Sequence, residues 1–146
     1  MSQYFDMGDE TLWNPSNGAS RMFRRQVAVF EAELGLGSGI GPMENDECQI
    51  DPIAFAAFVE ALLVQHRRTS HAILLALSEG FTATVVVLAE RAGIRVDWER
   101  LGAAPEGPRT DVQVSAAGGA APADGARWPT GLRAKALELG RRMPRE

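Results

Sequence analysis

An apolar stretch from Ser70 to Gly93, SHAILLALSEGFTATVVVLAERAG, carries a lone acid, Glu79, near its middle. A run of this kind has to be hidden from water, so it becomes the spine around which the other elements fold. Read as a helix, it has two useful rows. Leu74, Leu77, Phe81, Val85 and Leu88 form a bulky stripe. Ala72, Ala76, Gly80 and Thr84 recur every fourth residue, a row of small side chains that lets a neighbouring backbone come close. Gly80 costs about 1 kcal/mol in a helix interior relative to alanine, and close contact would give it a reason. A membrane span needs roughly twenty mostly apolar residues. Here Ser78, Glu79, Thr82 and Thr84 interrupt the run, and an acid at the bilayer centre costs about 3 kcal/mol. A buried core helix is the better reading.

The flanking segments read as further helices. Phe23, Val27, Phe30 and Leu34 make one apolar stripe over 17–34, with Ser16 and Asn17 as caps and the glycines from Gly35 as the stop. Asp51 is an N-cap with Pro52 at the first helical position, opening a helix to about Arg67 with Phe55, Phe58, Val59, Leu62, Leu63 and His66 on its inner stripe. No glycine or proline separates it from the spine. A tight turn over 67–70, capped by Thr69 or Ser70, makes the pair an antiparallel hairpin.

Residues 2–7 suit a short strand or extended arm, with a turn at Gly8–Asp9. Residues 35–51 read as a loop, and 94–101 as a short strand or turn. Residues 102–127, rich in Ala, Gly and Pro, read as a flexible linker. Residues 128–146 follow as a short basic segment, with a helix over 131–142 capped by Thr130. The expected fold is therefore mainly α: a compact bundle of three core helices in a domain over 1–101, with the arm, the linker and the terminal helix attached.

Charge is unevenly spread. Residues 1–60 hold ten acids against three arginines, and residues 61–146 nine acids against twelve bases, for a net −4. A general attraction to nucleic acid or to a membrane surface is not expected. The acidic front half would suit a basic partner, although solvated helix faces and loops give the same pattern. Cys48 is the only cysteine, which excludes an internal disulfide and points to the cytosol. The acidic start MSQYFDMGDE has no apolar core of a secretory signal.

No catalytic or ligand-binding motif is specific. Glu79, if its face is buried, would be held protonated by desolvation and could act as an acid or base; on an exposed stripe it would be an ordinary surface acid. His66 and His71 flank the expected turn and are the other acid–base candidates, although His66 ends an apolar stripe and His71 sits in a first helical turn. The histidine spacing matches no metal motif, and no metal or cofactor is expected. The run GLGSGIGP resembles a phosphate cradle only in letters and opens into acidic ENDE. Glu44, Asp46, Glu47 and Asp51 lack the pattern of a calcium loop. Cys48 reads as a small loop hydrophobe, and Trp13, Trp98 and Trp128 as core or cover before pocket walls.

The segments QYFDMGDETLWNPS, ECQIDPIAFAAFVEALL and HAILLALSEGFTATVVVLAERAG resemble a family of small actinobacterial proteins of unknown function. The resemblance spans residues 3–93, implies a soluble bacterial protein and carries no residue roles. Two functions fit these residues. One is a cytosolic binding protein of the partner-neutralising, immunity-like kind. The other is a small helical-pocket enzyme of secondary metabolism using Glu79, His66 or His71. The expected partner is another protein or a small hydrophobic metabolite, with self-association open.

Overall fold

The computed structural model describes residues 2–102 and 128–146, without the side chains of 102 and 128–130. The expected linker lies, apart from Gly102, outside the described residues. In chain order the elements are β1 (Tyr4–Met7), β2 (Glu10–Trp13), α1 (Asn17–Leu34), β3 (Ile40–Glu44), β4 (Glu47–Ile50), α2 (Pro52–Arg68), α3 (Ala72–Arg91), α4 (Trp98–Gly102) and α5 (Trp128–Gly140).

The fold is α+β, and the expectation of an all-helical bundle is corrected by a four-stranded mixed sheet in the order β2-β1-β4-β3. Two hairpins make it. In the first, Gly8 takes φ 61 between β1 and β2. In the second, Asn45 and Asp46, at φ 51 and 65, form a two-residue turn of the kind that matches strand twist. The supposed loop over 35–51 is therefore half sheet. β1 and β4 join the hairpins in parallel, with Phe5 opposite Cys48. Phe5, Cys48 and Ile50 are buried while Tyr4, Glu47 and Gln49 are exposed, so the helices cover one face of the sheet.

Helix ends follow local chemistry. The Ser16 hydroxyl accepts from the Ala19 N–H, and Gly35 closes α1 at φ 62. The Asp51 carboxylate accepts from the Ile53 and Ala54 N–H groups at 2.9 and 3.0 Å, ahead of Pro52. α3 is capped by His71 and not by Thr69 or Ser70. At the other end of the chain, α5 begins at Trp128, so Thr130 lies inside it. Residues 98–102 are the short helix α4, where a strand or turn was expected.

A ladder of aromatic rings runs from the sheet into the helices. Phe5, Trp13 and Phe23 lie 5.4–5.6 Å apart, Phe23 meets Phe81 at 5.5 Å, and Phe81 stacks on Phe30 at 4.3 Å. α5 packs along α3 and buries Leu132 and Ala136, and Met143 beyond it completes the contact. The basic terminal helix is thus part of the core, not an appendage. Arg91, at the end of α3, ties it down by donating to the carbonyl oxygens of Leu12, Gly140 and Met143 at 2.7–2.9 Å.

The spine is dry along only half its length. From Phe81 to Ala89 every residue but Thr84 is buried. From Ala72 to Gly80 none is buried, and Leu77, Ile73 and Leu74 are 71%, 62% and 46% exposed. By length and composition α3 could cross a membrane; its second half instead lies against α5 and β2.

Candidate functional site

The projecting half of α3 forms one wall of an apolar cleft. Val29, Phe30 and Leu34 of α1 face it, and Leu62 and Val64 of α2 join them. From α3 come Leu74, Leu77, Ser78 and Thr82. The cleft is half open and measures about 780 Å³. That is within the range of clefts that hold a small organic ligand. The α1 helix reaches the site because its stripe continues to Leu34; the aromatic stack of Phe30 on Phe81 sets its distance from α3.

Polar residues make up just under half of the lining. Glu33, Gln65, His66, Arg68 and Thr69 are part of the lining. Burial pushes the His66 imidazole down to about 4, so it is neutral at pH 7. Thr82 is 0% exposed, and its hydroxyl has no hydrogen-bond partner among the described residues. Its helix neighbours behave differently. The Ser78 hydroxyl donates to the Leu74 carbonyl and the Thr84 hydroxyl to the Gly80 carbonyl, both at 2.8 Å.

The three acid–base candidates do not meet in this cleft. His66 lines it. His71 instead caps α3, its Nδ1 accepting from the Leu74 N–H at 3.4 Å. Glu79 is exposed and does not line the cleft. The small row fares similarly: a Cβ on Gly80 would have nothing within 4 Å, so among the described residues no other helix comes close at Gly80.

The other candidates have structural places. Cys48 is buried, its thiol donating to the Gly41 carbonyl at 3.2 Å, and burial is the main cause that pushes it up to about 11. Gly39, in the glycine run, lies against the start of α2. The acids of the front half are divided: β1 and β4 run parallel with Tyr4 opposite Glu47, which puts Asp46 and Glu47 at one end of the sheet and Asp9 and Glu10 at the other. Asp51 is spent on the α2 cap. Among the described residues no three His, Cys, Asp or Glu side chains gather as a metal site. Trp13 belongs to the aromatic ladder, Trp98 sits under the Arg133 guanidinium at 5.3 Å, and the Trp128 side chain is outside the described residues.

Sequence reasoning missed Thr82, Val29 and the exposure of Leu74 and Leu77. The available signal was that α3 is apolar on every side, more than one layer of neighbours in a small chain can cover.

A family model, "Family of unknown function (DUF6086)", matches residues 1–145. The chain belongs to this family. The match extends past the resemblance over 3–93 and takes in α5, in keeping with the packing of that helix on α3. No curated protein and no solved structure matches the chain.

Proposed function

We propose that this chain is a cytosolic binding protein of the partner-neutralising, immunity-like kind, and that it grips another protein with the projecting half of its α2–α3 hairpin. The observation that carries this reading is the exposure of Ile73, Leu74 and Leu77 on consecutive turns of a helix whose other half is core. A contiguous apolar ridge in water is unfavourable by about 25 cal/mol per Å² and is usual at interaction sites. An amphipathic helix laid against such a ridge and groove is a common recognition mode. The acids of the front half offer less support, since Asp9 and Glu10 lie at the opposite end of the sheet from Asp46 and Glu47, and Glu31, Glu33 and Glu60 are on helices.

The test is photo-crosslinking in the native host. A benzophenone amino acid replaces Leu77 in one variant and Ile53, which is 84% exposed at the start of α2, in another. The expected result is a discrete adduct with a different protein from position 77 and none from position 53. No adduct at 77, equal adducts at both positions, or an adduct only with a second copy of this chain would contradict the proposal.

A further inference from the structure

The cleft holds a feature that an interface for another protein does not need. Thr82 stands on α3 at the point where the helix passes from the open half into the core, flanked by residues that are mostly valine, phenylalanine and alanine. A buried hydroxyl without a partner costs about 1–3 kcal/mol. Valine has nearly the same shape and would remove that cost. Ser78 and Thr84 discharge theirs onto backbone carbonyls of their own helix; Thr82 does not. Thr82 lines a cleft wide enough to accept a ligand, and its covered hydroxyl has a donor to offer to a ligand that presses between the lining side chains.

We infer that the cleft between α1, α2 and α3 binds a small, mainly apolar, uncharged molecule whose carbonyl oxygen accepts a hydrogen bond from the Thr82 hydroxyl. The apolar body of such a molecule would lie along Phe30, Leu62, Leu74 and Leu77. An uncharged ligand fits because more than half of the lining is apolar, and the burial that keeps His66 neutral penalises charge around it, even though Glu33 and Arg68 also belong to the lining. A ketone or similar group matches a single hydroxyl donor, whereas a carboxylate would need several donors to replace its water. This inference goes beyond the proposed protein partner and does not depend on it.

The test uses the whole chain and two probes of almost the same shape, 2-acetylnaphthalene and 2-ethylnaphthalene. Binding is followed by amide chemical shifts in two-dimensional NMR. Wild type should bind the ketone about fivefold more tightly than the hydrocarbon, the value of one net hydrogen bond. Shifts should centre on residues 78–84 and Phe30. In Thr82→Val the hydrocarbon should bind as before and the ketone advantage should vanish. The melting temperature of that variant should stay level or rise by about 3 °C, since an unmet polar group has been removed. The inference is overturned by equal affinity of the two probes in wild type, or by a ketone advantage that survives Thr82→Val. Shifts elsewhere on the chain, no binding up to the solubility limit, or a variant melting several degrees lower would overturn it equally. The last would mean that the hydroxyl serves the fold. None of these outcomes alters the crosslinking result at position 77, so the two proposals fail separately.

Discussion

The Arg91 guanidinium donates to the Gly140 carbonyl oxygen at 2.9 Å, joining the last turn of α3 to the end of α5 across a gap of 49 residues in sequence. The same group also holds the Leu12 and Met143 carbonyls. Burial lowers the basicity of this arginine, and the nearby Arg145 lowers it further. One side chain thus ties together three backbone acceptors, on β2, at the end of α5 and beyond it.

Arg91→Met should therefore cost about 3 kcal/mol in urea denaturation, because three charged hydrogen bonds are lost together. Arg91→Lys should recover only part of that, since an ammonium lacks the planar fork. In Arg91→Met, limited proteolysis should cut within α5 before it cuts within α2. Unchanged stability would show that α5 is held by Leu132 and Ala136 alone.

Two glycines should respond in opposite directions. A Cβ at Gly39, which has φ 77, would lie 2.8 Å from both the Asp51 carbonyl oxygen and the Phe55 nitrogen. Backbone cannot yield easily at the start of a helix, so Gly39→Ala should lose about 3 kcal/mol or more. Gly80 is helical and exposed, and a Cβ added there would meet nothing within 4 Å. Gly80→Ala should gain about 0.5–1 kcal/mol of stability in the free protein. Thermal unfolding of both variants reads the difference.

These glycines also mark what was legible in the sequence. The helical periods of α1 and α2, the Asp51–Pro52 start and the Gly35 stop are local signals, and each has its place in the structure. The first strand falls within 2–7, expected as a strand or arm with its turn at Gly8–Asp9; the other three escaped because they are only four or five residues long and carry Pro42 and charged residues. Asn45–Asp46 was the hairpin signal within that segment, hidden by its reading as part of an acidic cluster. The cleft was legible only in part. The stripe of α3 says which residues prefer to be dry, but where cover ends depends on how far α5 and the sheet reach. That is a long-range property, and it left Leu74 and Leu77 outside while Phe81 and Val85 went inside.

His66 should make stability depend on pH. Its folded value, about 4, lies below its ordinary 6.5. The unfolded chain therefore binds the proton more readily, and this contribution is fully present above pH 6.5 and is lost as the pH falls toward 4. The effect is at most about 3 kcal/mol. His66→Phe should flatten the denaturation profile relative to wild type between pH 6.5 and 4.5. An unchanged profile would mean that the imidazole is solvated.

Cys48 should be inert while the chain is folded. It has no exposed surface, and its thiol is pushed up to about 11, so almost no thiolate exists at pH 8. Reaction with a disulfide reagent should proceed at the rate of global unfolding and speed up with added urea. Fast, stoichiometric labelling without denaturant would place the thiol at the surface.

The central claim is that α3 is half core and half offered surface. Hydrogen–deuterium exchange along this one helix measures it directly in dilute, purified protein. Amides at 73–79 should exchange orders of magnitude faster than those at 82–89, with the break near Gly80. Uniformly slow exchange from Ile73 to Ala89 would contradict the account, because the ridge would then already be covered.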